Sequence, residues 1–497
     1  MNLWSWKPLF IFNGAFLVYV IARSWHRPRE LSTEHHSFGW PWGLAVAALT
    51  AAVYLPSQGA NFVHTDWTHR VNTEHAGALH FFTARLGDGS WRPLGFLSLW
   101  IDDRIFGPRL WAYHIQNILL HAANALLAGM VAGSLKVSVW ASRFTALLFG
   151  LGAIRFEAVV WPGARFDLLA TTFSLAALLL FLDYWRTERG LVARGIAVLA
   201  AYLLAVASKE TGYSLLLVFA LLTATARPWG LPPMPRSRAV WLACALAICT
   251  AGLIAVRFAL YGGIGGYPAQ NGRPAQFHVS LRTAYLLVRN ALAGSTFLLN
   301  SSPHSAWQLA ILAAFAVIML ATAFVFRGTD SARLWALIGL TLVSAAPVIT
   351  LIGWIQPGLE ESRYLYWPSL WMCILFALIF DACRGRTALA CAFLAVQTAG
   401  VSWNVGVYRD MFHKAAAIAE QVRSDAGRRP IAAVEFLNVG ASPDGVFPFG
   451  VELKTRTQAA LPGAAVETCM ESCGGATPAE ALIYRWNEQA RIMTRLR

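Results

Sequence analysis

The sequence predicts an all-α polytopic membrane bundle of about twelve transmembrane helices, with further helices lying on its outer surface and a small α/β appendage at the C-terminal end. Three observations predict it. The 497 residues are 57% hydrophobic and only 13% charged, with a mean hydropathy of +0.50, which is a membrane composition. Apolar runs of about 17 to 25 residues recur along the chain, the helical length that crosses about 30 Å of hydrocarbon. They stop near residue 406, where a mixed composition begins. The runs are continuous and do not alternate with polar residues, so they read as helices and not as barrel strands.

In chain order the expected spans lie at 8–24, 40–57, 111–135, 139–156, 167–185, 191–207, 211–226, 239–260, 306–326, 333–354, 365–381 and 387–406. The first resembles a signal sequence in length, but a basic "HRPRE" segment follows it with no convincing small-residue cleavage site, so it is kept as a span. The net charge of +14 and pI near 9.8 do not point to nucleic acid. Lys and Arg come in small groups between apolar runs and form no single basic face.

Those groups instead set the topology. Arg23, Arg27 and Arg29; Lys136 and Arg143; Arg186, Arg189 and Arg194; Arg227, Arg236 and Arg238; Arg327 and Arg333; and Arg384 and Arg386 fall on alternate connections, which the positive-inside rule places in the cytoplasm. The opposite side then receives 58–110, 157–166, 208–210, 261–305, 355–364 and everything after 407. The expected organisation is a transmembrane domain over 1–406, with 58–110 as its first outer loop, and a small outer domain over 407–497. The expected setting is a bacterial inner membrane, with the site and the tail facing the periplasm. Cys244, Cys249, Cys373, Cys383 and Cys391 lie in or beside spans and read as small buried hydrophobes. Cys469 and Cys473 in "TCMESCG" read first as a disulfide of an oxidising compartment.

The first outer loop opens with "NFVHTDWTHRV", which sets Asp66 at the water's edge, and continues into "WRPLGFLSLWIDDRIFGPRLW". Leu94, Leu97, Trp100, Ile101 and Ile105 recur there at helical spacing beside Arg92, Asp102, Asp103 and Arg104, the pattern of a helix lying in the interface. Residues 279–299 offer a second such helix. Interfacial helices around an acid would make a semi-dry cleft at headgroup depth, suited to a lipid-linked substrate.

His114, Asn117, His121 and Asn124 follow at offsets that line one face of the next span. Such a stripe faces protein or water and reads first as interhelical hydrogen bonding that fixes packing; metal binding is disfavoured, because His at i and i+7 is not a close ligand pair and no matching acid lies nearby in sequence. Next, "RFEAVVWPGARFDLL" presents Arg155, Glu157, Arg165 and Asp167 in one short return. They either pair with one another or complete the site begun by Asp66, with Asp66 and Asp167 the candidate ligands should a divalent cation be used. "ASKETGYS" and "EESRYLYWPS" add Lys209 and Arg363 at the same depth, a point charge and a planar fork suited to a phosphate anchored in lipid.

The ordered set "RPLGFLSLWID", "FGPRLWAYHIQNILLHAANALL", "FEAVVWPGARFDLLA", "ASKETG" and "SRYLYWPSL" resembles the polytopic C-type glycosyltransferases over residues 40–380. The resemblance is greatest to the transmembrane O-mannosyltransferases that carry tetratricopeptide repeats, here without the repeats. It implies an inverting transfer from a polyprenyl-phosphate sugar to an acceptor hydroxyl of a protein, lipid or glycan on the outer face. It implies Asp66 as general base, Asp167 as the second acid, and Lys209 and Arg363 at the lipid phosphate; Glu157 is a further catalytic candidate of the same return, and Arg92, His114, Arg165, Glu210 and Tyr364 are further substrate-binding candidates. Many members have two adjacent acids where this chain has Asp66 and Trp67, and a His-Pro pair where it has Gly152 and Ala153.

After residue 407, "YRDMFHKAAAIAEQVRSDAGRRP" reads as an amphipathic helix, "IAAVEFLNV" as a strand, and "SPDGVFPFGVELKTRTQAAL" as a turn leading into a helix. A non-catalytic scaffold of the same fold and a polytopic transporter are the other readings. The transporter should show inverted repeats and helices broken at mid-membrane, and the sequence displays neither.

Overall fold

The structure, a computed structural model, describes residues 39–60, 66, 73, 76–84, 90–263, 329–348, 361–383, 385–427, 429–439, 449–469, 481–487 and 492–496. The expected spans at 8–24 and 306–326, the interfacial helix at 279–299 and the Cys469–Cys473 pairing lie outside the described residues.

The bundle begins with α1 (Trp40–Tyr54), the short α2 (His80–Thr83) and α3 (Pro93–Phe106). It continues through α4 (Leu110–Ser134), α5 (Val139–Leu151), α6 (Phe156–Val160), α7 (Arg165–Arg186), α8 (Leu191–Ser208) and α9 (Leu215–Ala224). Then come α10 (Arg236–Tyr261), α11 (Thr329–Ala345), α12 (Ser369–Asp381) and α13 (Arg386–Ala426). Six helical stretches among the described residues are long and apolar enough to cross a membrane. The chain is a multi-pass integral membrane protein.

Local chemistry sets several element ends. Pro93 opens α3, where its missing N–H costs nothing. Ser138 caps α5 by accepting the N–H of Ala141 at 3.0 Å. The expected span 139–156 stops being regular helix at Leu151, because Arg155 folds back onto the carbonyls of Phe149 at 2.6 Å and Leu148 at 2.7 Å. That return needs Gly152, since a Cβ there would stand 2.6 Å from Arg155 Nη2. The expected span 211–226 likewise begins as a 3-10 turn, Glu210–Ser214, before α9.

The polar stripe of α4 is interior. Asn117 Nδ2 donates to the Trp161 carbonyl at 2.9 Å, and His121 meets the Tyr366 hydroxyl at 2.7 Å and the Gly150 carbonyl at 3.0 Å. Asn124 Nδ2 donates to the Leu168 carbonyl at 3.0 Å. These contacts tie α4 to the 150–168 return and to the segment before α12. Without water, each polar group must find such a partner inside the protein.

At the other end of the bundle, basic residues that the sequence places on one side close helix ends. Lys136 Nζ donates to the Gly230 carbonyl at 2.7 Å, Arg238 to the Thr187 carbonyl at 3.0 Å and Arg333 to the Pro228 carbonyl at 2.5 Å. Cations at exposed carbonyls satisfy groups that a helix leaves unpaired.

The expected boundary near 407 falls inside α13, one helix of 41 residues and so about 60 Å long. No proline interrupts it, so the apolar span and the amphipathic helix fuse into one rod. Its far half supports the appendage. β1 (Ala433–Leu437), α14 (Phe449–Ala460), β2 (Ala465–Cys469), β3 (Ala481–Asn487) and β4 (Ile492–Arg495) form a sheet in the order β2-β1-β3-β4. β1 runs parallel to both neighbours, in register Val434 with Val466 and Leu482, and β4 pairs antiparallel to β3. α14 packs along α13, and the Tyr484 hydroxyl donates to Asp425 Oδ2 at 2.6 Å, seating the sheet on the rod. The later strands are structure that the sequence reading did not specify.

Candidate functional site

The site forms where the returns between helices meet. The residues 152–168 fold as short broken pieces around α6, because Pro162 ends one helical turn and Gly163 permits a close approach. A Cβ at Gly163 would stand 2.7 Å from Asp66 Oδ1 and 3.0 Å from the Trp161 indole nitrogen. Glycine therefore leaves room for the contact made there. The Trp161 N–H donates to Asp66 Oδ1 at 2.9 Å, with Asp66 buried.

The Trp161 ring carries the next link. The Arg363 guanidinium carbon lies 4.4 Å from the centre of that ring and 4.8 Å from that of Tyr364. Arg363 belongs to a 3-10 turn, Ser362–Leu365, preceded by Glu361 at φ 63°. At that left-handed residue, strained for a side chain other than glycine, the turn directs the main-chain N–H groups of Glu361 and Arg363 onto one carboxylate. The N–H of Glu361 reaches Glu157 Oε1 at 3.3 Å and the N–H of Arg363 reaches Oε2 at 2.9 Å, while Arg363 Nη1 donates to Oε1 at 2.8 Å. Glu361 also pairs with Arg363 Nη2.

Tyr364 joins this group to a second ion pair. Lys209 Nζ lies 5.0 Å from the Tyr364 ring centre and donates to both oxygens of Asp167 at 2.6 Å. Asp66, Trp161, Arg363 with Glu157 and Glu361, Tyr364, and Lys209 with Asp167 are thus contiguous. Glu210, next to Lys209, receives Arg92 at 2.9 Å and Arg257 at 3.0 Å, and Arg92 lies over the ring of Phe166, beside Asp167. Of the two readings of Arg155, Glu157, Arg165 and Asp167, pairing with one another does not occur. Each acid takes a partner from a distant return, and each arginine takes carbonyls or a distant acid.

Two of the expected substrate ligands lie behind this arrangement. Arg165 is buried and spends its fork on Asn117 Oδ1 at 2.6 Å, Asp102 Oδ2 at 2.5 Å, Ser98 Oγ at 3.2 Å and the Tyr113 carbonyl at 2.8 Å. His114 is fully buried, with Nε2 at 3.2 Å from the Ala60 carbonyl. Trp161, Glu361 and Arg257 join the site without having been singled out in the sequence. Arg257 was detectable as a charge near the end of an apolar run. Trp161 gave no such signal, since a Trp near a membrane interface is ordinary.

Among the described residues, no group of three or more His, Cys, Asp or Glu side chains could hold a metal ion. Of the two carboxylates expected as ligands for a cation, Asp66 accepts the Trp161 N–H at Oδ1, and Asp167 accepts Lys209 at both oxygens.

Burial of Glu157 pushes its pKa upward, Arg363 opposes this, and the second carboxylate of Glu361 adds to the rise, so the group is pushed up to about 7.

No family model matches the chain. It is 32% identical to protein O-mannosyl-transferase Tmtc2 of Drosophila melanogaster over 231 residues, 42% of this chain and 24% of that one. It is 32% identical to TMTC2 of Homo sapiens over 169 residues, 30% and 20% of the two chains. With protein O-mannosyl-transferase F38B6.6 of Caenorhabditis elegans it shares 24% identity over 375 residues, 68% of this chain and 51% of that one. The matched part thus spans about a quarter or less of the Tmtc2 proteins and about half of the nematode protein. Among solved structures, the arabinofuranosyltransferase AftD from Mycobacteria aligns over 89% of this chain and 32% of its own, at 15% identity and a TM-score of 0.47. ArnT from Cupriavidus metallidurans, bound to undecaprenyl phosphate, aligns over 86% and 90% at 14% identity and a TM-score of 0.33. The resemblance carried by the ordered motifs is borne out by the sequence relatives: the chain is similar to the animal protein O-mannosyl-transferases.

Proposed function

We propose that the chain is an inverting membrane glycosyltransferase that moves a sugar from a polyprenyl-phosphate donor to an acceptor hydroxyl on the outer face of the membrane, with Asp66 as general base. The observation that carries the reading is the contact between Asp66 and the cationic cluster through Trp161. A base on the acceptor side and cations on the donor side are what a single displacement needs. The similarity to protein O-mannosyl-transferases supports the reaction class and makes mannose the first sugar to test.

In the step, the acceptor hydroxyl gives its proton to the Asp66 carboxylate while its oxygen bonds to the anomeric carbon. The carbon–oxygen bond to phosphate breaks on the opposite face, its electron pair leaves with the phosphate, and configuration inverts. Arg363 and Lys209 serve the phosphate side, with Arg92, Glu210 and Tyr364 around them. Glu157, Glu361 and Asp167 hold the two cations in orientation before the donor arrives, so little reorganisation accompanies charge development. Asp167 is the second acid of the site. The setting is a bacterial inner membrane, with site and appendage in the periplasm and the appendage over 407–497 covering the site or holding the acceptor.

The test is mass analysis of outer-compartment glycans and glycoproteins from cells with wild-type protein, without the gene, and with Asp66→Asn. This variant keeps the side chain's size and removes the base, so transfer should fall about 10²- to 10⁴-fold with insertion retained. Wild-type transfer by Asp66→Asn removes Asp66 from the role. Glycans unchanged by loss of the gene favour the scaffold reading.

A further inference from the structure

Trp161 touches both halves of the site and is itself held from behind. Its carbonyl accepts Asn117 Nδ2 at 2.9 Å, and its main-chain N–H donates to the Glu157 carbonyl at 3.1 Å. The backbone is pinned on both sides, and the following Pro162 restricts it further. From that fixed point the indole N–H meets Asp66 Oδ1 at 2.9 Å and the ring face meets Arg363 at 4.4 Å. Gly163 leaves the gap in which the first contact forms.

Indole is a donor only. It can neither take the proton that the base must take nor replace the base. What it can do is fix one carboxylate oxygen and favour the charged, proton-accepting form, because a hydrogen bond to an ionised group stabilises that group. The ring, independently, attracts a guanidinium over its face. A phenyl ring in its place would keep the second contact and lose the first, and an aliphatic side chain would lose both.

Resting on the glycosyltransferase reading above, we infer that Trp161 is a positioning residue that sets the base against the donor-side cation, its N–H orienting Asp66 and its ring seating Arg363. The two contacts separate kinetically, since orienting the base acts on turnover and seating the cation acts on donor capture.

The test uses the full-length protein in detergent or vesicles with a polyprenyl-phosphate sugar as donor, comparing Trp161→Phe, Trp161→Leu, Asp66→Asn and the double variant Trp161→Phe/Asp66→Asn. Trp161→Phe should lower kcat by about 10- to 100-fold, the effect of losing a hydrogen bond to a charged group, with donor KM within about twofold of wild type. Trp161→Leu should show that loss and also raise donor KM by about 2- to 30-fold, as loss of the cation–π contact requires. With the base already gone, Trp161→Phe should cost little more, because the two side chains act as one unit. Wild-type kcat in Trp161→Phe overturns the inference, and so does a Trp161→Phe effect that multiplies in full with that of Asp66→Asn. Should Trp161→Leu fail to insert, Trp161→Phe and the double variant decide the matter alone. A wild-type rate in Asp66→Asn overturns the underlying reading and the inference with it, an outcome distinct from a silent Trp161→Phe beside an inactive Asp66→Asn.

Discussion

Glu157 holds Arg363 twice, taking its main-chain N–H at 2.9 Å and its guanidinium Nη1 at 2.8 Å. Burial and the neighbouring Glu361 nevertheless raise the carboxyl from its ordinary 4.5 to about 7. A carboxyl raised in this way binds its proton more tightly in the folded protein than in the unfolded chain. The stability it contributes is complete below about pH 4.5 and is lost as pH rises through about 7. The thermal midpoint of the wild type should therefore decline across that window by more than that of Glu157→Gln. Parallel midpoint-against-pH curves for the two proteins would show that the folded state does not raise this group.

Lys209 and Asp167 form a buried pair with both side chains 5% exposed. Removing one partner leaves the other charge without compensation, which costs about 3 to 5 kcal/mol in comparable sites. Asp167→Asn should lower the thermal midpoint sharply, and Asp167→Asn/Lys209→Gln should recover part of the loss, because no buried charge then remains. Additive losses in the double variant would mean that the pair is not energetically coupled.

The bundle was legible because its physics is local: an apolar run of sufficient length is a helix in lipid wherever it lies in the chain. The helix after Arg92, Pro93–Phe106, was legible from the helical spacing of its apolar residues. The charges of the site were visible as Asp66, Glu157, Asp167, Lys209 and Arg363, each where a loop meets a span, but their pairing was not. Glu157 and Arg165 are eight positions apart, yet the break at Pro162 and Gly163 turns them to opposite sides, one to the 361–363 turn and the other to α3. Trp161 and Asp66 lie 95 positions apart, and no periodicity links residues on separate returns. The continuity of α13 was missed because apolar and amphipathic halves differ in composition, although helix geometry requires no break between them.

Arg165 makes four side-chain hydrogen bonds that join α3, α4 and α7. A lysine has the charge but not the planar fork, so it cannot reach Asn117, Asp102 and the Tyr113 carbonyl together. Arg165→Lys should destabilise the protein by about 2 to 5 kcal/mol, seen as a lower thermal midpoint in detergent. Donor KM of the folded fraction should stay near wild type. A raised donor KM with an unchanged midpoint would instead make Arg165 a substrate ligand.

Lys136, Arg238 and Arg333 close one end of the bundle by donating to the carbonyls of Gly230, Thr187 and Pro228. The returns that carry Glu157, Lys209 and Arg363 meet at the site. Since α13 runs on from Arg386, within the last basic cluster, to Ala426 without a break, the appendage should lie on the side away from that cluster. A tag inserted between Glu188 and Arg189 should be protected from protease added to the outer face, whereas a phosphatase that folds only in an oxidising compartment should be active when fused after Arg497. The basic connections then lie inside, as the positive-inside rule requires, and the site faces out. An inactive phosphatase together with an outer-accessible tag would reverse the topology, and with it the compartment in which any acceptor must be sought.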